Sequence, residues 1–320
     1  MLVRHLGEPH ADSSIVPTYH VARITRQHVT VALNGDGGDE LFAGYDRYKA
    51  AALARLTVER LPRSLADALS RFAGAIPLDG RAPRIIQRGR RFLAAVGLPP
   101  ELRFLRWTGY FTGPLHDLVT GERLRGDLGG PAISLLAEAS SITGATDPSE
   151  RYMASDVLMN LPGDLLVKMD IATMANSLEA RSPLLDHNLA EFVARLPASY
   201  KLSARTSKIL LRRAMRDVLP RQILQRGKMG FSAPVGAWLR GPLRPLFEDL
   251  VLSPTASARG YVSVDGAREL FRQHISGTKD RTPLLWSLLM LELWFRECVE
   301  SPRPSGNLDP EFSHPERRYS

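Results

Sequence analysis

The stretch VTVALNGDGGDELFAGYDRY, residues 29–48, decides the fold. Its first five residues, Val29 to Leu33, form a compact β-branched run bounded by turn residues and read as a buried strand. NGDGGDE follows, and LFAGYDRYKAAALARL beyond it has helical character. Strand, glycine-acidic turn and helix make an α/β arrangement with its loop at the strand's carboxyl end. In open parallel sheets that is where ligands bind.

Within the turn, Gly35, Gly37 and Gly38 permit positive φ and close approach of the backbone to a ligand. Asp36, Asp39 and Glu40 place three carboxylates within five residues. Such a cluster repels itself unless it holds a cation or is well solvated. Beside phosphates the natural cation is Mg²⁺, which takes few protein carboxylates and keeps water or phosphate oxygens. An exposed acidic turn is the plain alternative, and the turn alone does not decide. A calcium EF-hand fails, because the ligand spacing and terminal Glu are wrong and the preceding segment is a strand.

Upstream, LVRHLGEPHADSS is too short to fold alone and leads into a helix over Pro17–Gln27. Downstream, Val58 to Ser149 reads as mostly helical, punctuated by prolines. The next informative block is DLLVKMDIATMANSLEARSPLLD, Asp164 to Asp186. Leu165, Leu166, Met169, Met174 and Leu178 predict an apolar helical face, interrupted by Asp164, Lys168 and Asp170. Glu179 and Arg181 then enter a Ser-Pro turn. Surface charge with a helix-end ion pair, worth little, is the bland reading of these residues. RTSKILLRRAM puts Lys208 near the start of an amphipathic helix, where a cation is useful facing a polyphosphate. RGKMGFSAPVGAWLRGPL carries Lys228 and Phe231 in a glycine-rich loop. One or two credible parallel strands are too few for a free-standing doubly wound sheet.

With 320 residues, 44% of them hydrophobic, the chain can bury a sizeable core as one large or two small domains. No apolar run reaches the ~18–20 residues that span a bilayer. Pro283 to Cys298, broken by Glu292, reads as a buried helix, and Arg4, His5 and Glu8 stand where a signal peptide needs an apolar core. A cytoplasmic protein with no membrane partner is expected. The single cysteine, Cys298, excludes an internal disulfide and reads as a packed structural thiol. No Cys/His cluster has zinc spacing. The net charge is +8, and 36 of the 42 basic residues are Arg. The densest basic run, Arg81 to Leu93, reads as a solvated helix face, so nucleic acid is not the expected partner. A basic surface also suits small phosphate-bearing substrates. From Ser301 the tail is rich in Pro, Ser and charge and is expected to be disordered.

Read together, these strings resemble the synthetase domain of the glutamine-dependent asparagine synthetase family, from about Leu2 to Arg296. The resemblance rests on EPHADSSIVPTYH, VALNGDGGDELFAGYDRY, the Asp164–Asp186 block, SKILLRRAM with VLPRQIL, and KMGFSAPVGAWLRGPLR, in that order. It implies an α/β fold built on an adenine-nucleotide alpha-hydrolase-like (PP-loop ATPase) parallel sheet, partial and mostly helical here, over residues 1–300, with 301–320 as tail. It implies binding of ATP and aspartate, formation of β-aspartyl-AMP with release of pyrophosphate, and attack by ammonia to give asparagine and AMP. Asn34 and Gly35 then border the adenosine, with Gly37, Gly38 and Lys208 completing the ATP site. Asp39 and Glu40 serve Mg²⁺, Asp36 acts on the attacking ammonia, and Lys208 holds the phosphates. Asp164, Lys168, Asp170, Glu179 and Arg181 also match family positions, and both substrate contact and a structural role stay open for them.

The chain also departs from the family's pattern. The family opens with a glutaminase domain whose nucleophile is a cysteine after the initiator Met, whereas residue 2 here is Leu2. Its SGGxDS pyrophosphate loop would lie upstream of Leu2, and no SGG occurs. Gly7 stands where Asp often precedes Glu-Pro, Asn34 where Ser is usual, and Ile171 where Arg commonly follows the Asp. The resemblance therefore implies a synthetase domain cut short at its N-terminus. Its ammonia would come from an absent glutaminase domain, and its partner would be a second copy or a complementing upstream fragment. A relative that amidates or cyclises another substrate (β-lactam synthetase-like, peptide-cyclising or sugar-modifying) and a non-catalytic gene fragment are the competing readings.

Overall fold

The computed structural model describes residues 1–76, 83–126, 130–142, 144–227, 230–231 and 233–301. Lys228 and the tail beyond Ser301 lie outside the described residues. Strand β1 (Val31–Leu33) pairs in parallel with strand β2 (Glu179–Arg181), Ala32 opposite Ala180. The ladder runs on at both ends, with Glu179 N donating to Thr30 O and Asn34 N donating to Arg181 O, each at 2.9 Å. Every other regular element among the described residues is helical. Helix and a small parallel sheet thus match the α/β expectation.

Two local expectations are corrected here. The strand foreseen over Val29–Leu33 as buried is shorter and lies open, with Leu33 73% and Val31 39% exposed. Parallel strands are normally covered on both faces, and among the described residues β1 has only β2 beside it. Glu179 and Arg181, expected in a turn, instead form the ends of β2, and the Ser-Pro turn begins after them with the 3₁₀ helix Pro183–Leu185.

The main core surrounds the helix Thr282–Trp294, where Leu284, Leu285, Leu288, Leu289 and Met290 are all buried. A helix apolar all round must be covered all round. Phe247 from Arg244–Val251 and Phe271 from Val264–Ile275 stack against each other there at 4.6 Å. Glu292, which interrupts the apolar run, accepts both oxygens' worth of bonds from Arg259 at 2.7 Å and a further one from Arg296 at 2.7 Å. A buried carboxylate is tolerated when paired in this way. Cys298 is half-buried, its thiol directed at Val3 O at 3.6 Å. Gly7 caps the first helix, Leu2–Leu6, at φ 69°, so its place is set by backbone geometry.

The apolar face foreseen across Asp164–Leu178 is also corrected. Residues 156–166 form a π-helix around Pro162, and the α-helix Val167–Met174 continues from it. Each π turn holds an extra residue, so a 3.6-residue face read through the junction loses phase. Lys168, Ala172 and Thr173 point inward, Val167 and Ile171 pack on the main core, and Met174 is 57% exposed. Ile171 thus serves packing where a charge was expected. No described helix is long and apolar enough to cross a membrane.

Candidate functional site

The turn after β1 is fixed from below. Gly37 has φ 83°, and a Cβ there would stand 2.1 Å from Leu185 Cδ2. A Cβ on Gly38 would meet Leu184 Cδ1 at 2.9 Å, whereas Gly35 faces open space. Of the three glycines, then, one needs positive φ. Two make room for the Pro183–Leu185 turn, and only Gly35 has a free side for a ligand. Asn34 braces the turn: its Nδ2 donates to Asp36 Oδ2 at 3.0 Å, and its Oδ1 accepts from Asp36 N at 3.2 Å and Ser182 Oγ at 2.6 Å.

Asp39 and Lys208 meet on the other side. Lys208 Nζ lies 2.6 Å from Asp39 Oδ1. Lys208 precedes the helix Ile209–Ala214 with φ 55°, and its N–H donates to Phe42 O at 3.1 Å. That left-handed conformation is costly for a side chain with a Cβ, and here it aims the ammonium at Asp39. Gly44 lies beneath the pair, where a Cβ would fall 1.9 Å from Asp39 Oδ1 and 2.5 Å from Lys208 Cε. A cavity of about 520 Å³ opens beside them, lined also by Arg212, Arg226, Gly230 and Phe231.

Glu40 turns away from that cavity. It is 2% exposed and accepts from Tyr45 OH at 2.5 Å. Arg47 covers the Tyr45 ring at 3.9 Å and forks onto Asp156 with two bonds of 2.7 Å, and Tyr48 OH adds a third at 2.5 Å. Burial pushes the Asp156 carboxyl up, and Arg47 pulls it back. Burial and the neighbouring Glu40 carboxylate push the Tyr45 phenol far above its usual range. This network fixes the end of the turn to the helix Asp46–Leu56 and to the π-helix.

A second charged centre, built on Lys168, acts on Asp36. Lys168 Nζ donates to Asp12 Oδ2 at 2.5 Å, and Asp12 also accepts from Ser14 N at 2.9 Å and Ser14 Oγ at 2.8 Å. Buried His10 directs Nε2 to Asp164 Oδ1 at 3.3 Å. Burial pushes Asp12 up, but Lys168 and the Ser14 donors outweigh it and hold the carboxyl below its usual value. Asp164 is raised, by burial first and then by Asp12, against Lys168, His10 and Arg47. Asp36 is raised by burial, opposed by the Lys168 ammonium and reinforced by Glu40.

The structure therefore gathers Asn34, Asp36, Asp164 and Lys168 in one region and Asp39 with Lys208 in the adjoining one. Asp170 is exposed, and Glu179 and Arg181 pair with each other at 2.5 Å on the exposed side chains of β2. Sequence reasoning missed His10, Asp12, Gly44 and Ser182. The HADSS string signals a side-chain-braced turn before a helix, but its distant partner Lys168 leaves no local trace. Among the described residues no group of three or more His, Cys, Asp or Glu is placed to hold a metal ion. Among the described residues lining the cavity, Asp39 alone presents a carboxylate.

Comparison with known proteins adds a lineage to this geometry. The profile of a protein family described as Asparagine synthase matches residues 1–296. A putative asparagine synthetase [glutamine-hydrolyzing] of Mycobacterium tuberculosis (strain ATCC 25618 / H37Rv) is 33% identical over 317 residues, covering 98% of this chain and 46% of the relative. Asparagine synthetase [glutamine-hydrolyzing] 1 of Bacillus subtilis (strain 168) is 29% identical over 299 residues, 93% of this chain and 45% of its own length. Amidase chyE of Penicillium rubens is 25% identical over 266 residues, 76% of this chain and 38% of its own. The chain spans about half the length of the curated relatives it matches.

Proposed function

The chain belongs to the asparagine synthase family of carbon–nitrogen ligases, and from that premise we propose that it activates the side-chain carboxylate of aspartate with ATP and delivers it to ammonia. The intermediate is β-aspartyl-AMP, the leaving group pyrophosphate, and the products asparagine and AMP. The observation that carries this reading is the Asp39–Lys208 pair, joined over Gly44 at the wall of a cavity that also holds Arg212 and Arg226.

Three cations on one wall suit a polyphosphate. Lys208 exchanges its Asp39 partner for phosphate oxygens, and Arg212 and Arg226 offset the charge that builds on the leaving pyrophosphate. Asp39 is the residue that would hold Mg²⁺ here, an ion that needs few protein carboxylates. Glu40, held by Tyr45 in the interior, does not fit as a second ligand and instead fixes the turn. The ion would supply neutralisation of phosphate charge. Asn34 and Gly35, on the open side of the turn, border the adenosine. Asp36 accepts the proton released as ammonia attacks, and its raised affinity for protons makes it the stronger base.

Residues 1–300 act here as one synthetase unit, with ammonia, or glutamine hydrolysed elsewhere, as nitrogen source and a polypeptide carrying the family's SGGxDS loop as complement. The chain is to be assayed alone and with such a fragment, supplied with ATP, Mg²⁺, ammonium and aspartate labelled with ¹⁸O in its side-chain carboxyl. Adenylation moves one labelled oxygen into AMP. Release of ADP and phosphate, or AMP without label, would sink the reading. The likeness to a protein named an amidase favours a second reading, the same adenylation of a different carboxylate. Pyrophosphate release driven by other carboxylic acids and not by aspartate would select it.

A further inference from the structure

Lys168 is the hub of the buried charges behind the catalytic turn. Its ammonium, on a side chain only 9% exposed, touches Asp12 at 2.5 Å. It is also a positive group acting on Asp36 and, together with His10 and Arg47, on Asp164. A lysine stem has four rotatable bonds, and a buried ammonium left to itself seeks water or the nearest anion. Three carboxylates compete for this one. What fixes the outcome is Asp12, whose two oxygens are already oriented by Ser14 N and Ser14 Oγ at the entry to the helix Ile15–Arg26.

We propose that Asp12 is a positioning residue: by anchoring the Lys168 ammonium it holds that charge where Asp36 must accept a proton. The proposal rests on the functional reading above and adds to it a residue whose carboxylate bonds Lys168 and Ser14. The charged groups facing Asp36 are Lys168 from the helix Val167–Met174 and Glu40 from its own turn. Beside Lys168 stand Asp12, Asp164 and His10, with Arg47 acting on Asp164 and Tyr110 within reach of Asp12 and Asp164. Burial and Glu40 both drive Asp36 toward its protonated form, in which it accepts nothing. Among the described residues Lys168 is the counterweight to both, so its location governs how much of Asp36 is available.

The sign of the effect separates a positioning role from a merely local ion pair. If Asp12→Asn releases Lys168, Asp36 loses its positive neighbour and its protonation moves to higher pH. If Lys168 stays in place, removing the Asp12 charge can only leave Asp36 unchanged or move it to lower pH.

The experiment uses the chain with its complementing fragment and compares wild type, Asp12→Asn and Asp12→Glu. Three quantities are read: aspartate-dependent exchange of pyrophosphate into ATP, the pH profile of kcat for asparagine formation from ammonium, and acetylation of Lys168 by mass spectrometry. The expected result for Asp12→Asn is faster acetylation of Lys168, a fall in kcat of about tenfold, a fraction of what a general base contributes, and an acid limb moved to higher pH. Pyrophosphate exchange and the KM for ATP should stay near wild type, and Asp12→Glu should restore part of kcat. An acid limb that stays or moves to lower pH, or Lys168 acetylated no faster, would overturn the proposal while exchange in the wild type upholds the functional reading. Absence of exchange in the wild type would remove that reading and the positioning role with it.

Discussion

Lys208 Nζ lies 2.6 Å from Asp39 Oδ1 because Gly44 has no Cβ to keep them apart. The chain doubles back at Phe42–Gly44, with Ala43 at φ 57° and Gly44 N donating to Asp39 O at 2.7 Å. The turn, the Ile209–Ala214 helix start and the cavity wall are thereby tied at one point.

Gly44→Ala should uncouple them. Its methyl group would overlap both Asp39 Oδ1 and Lys208 Cε. The lysine end is flexible, so the strain should fall at the lower part of the ~1–3 kcal/mol typical of overpacking. Thermal denaturation should show a modest drop in Tm, and binding of Mg²⁺–ATP should be lost. A variant that keeps its nucleotide affinity would show that the close approach has no bearing on the site.

Removing either partner should act on turnover more than on folding. Asp39→Asn and Lys208→Ala are each expected to cut aspartate-dependent pyrophosphate release by roughly a hundredfold or more, the scale of losing a principal electrostatic element. Lys279→Ala, on an exposed segment far from the turn in sequence, should be near neutral. Equal losses in all three would dissolve the assignment.

Much of this arrangement is legible in the residues, and the rest is hidden for identifiable reasons. Asp36 and Asp39 stand out because glycines flank them after a β-branched run, and Lys208 because it opens an amphipathic segment. Glu40 looks equivalent to Asp39 in sequence, yet the two neighbours diverge once Gly38 starts a helical turn, and Tyr45 claims Glu40. The face of the Lys168 helix is misread because a π-helix with Pro162 shifts its phase, which periodicity cannot register. Asp12 is hidden because its partner Lys168 lies 156 residues away.

Stability should respond to acid in opposite senses at two carboxylates. Asp12 is held below its usual value, so its contribution is present above the unfolded value and is lost as pH falls through the folded one. Asp36 is raised, so its ionisation destabilises the fold above the folded value, and the penalty is relieved as pH falls toward the unfolded one. At neutral pH, Asp12→Asn should therefore lower Tm, because it strands a buried ammonium. Asp36→Asn should raise Tm while abolishing asparagine formation, a trade typical of catalytic groups. Tm measured from pH 7 down to pH 3 decides it: shifts of the same sign in both variants would contradict these assignments.

The exposed flank of β1 makes a claim about association. Its three residues carry Val31 and Leu33 outward, with β2 on one side and, among the described residues, no strand on the other. An apolar strand with one row of unpaired backbone groups is a template for pairing with another chain. Wild type should accordingly self-associate as its concentration rises, seen as a growing mass in size-exclusion chromatography with light scattering. Leu33→Lys should suppress this, since a charge on an edge strand opposes stacking of a second copy. The substituted side chain is 73% exposed, so little packing is lost and Tm should change by only a degree or two. Adding a polypeptide that pairs with β1 should suppress self-association of wild type in the same way. A wild-type chain that stays monodisperse at high concentration, or a Leu33→Lys variant that associates as readily, would show that this edge is not the surface through which copies meet.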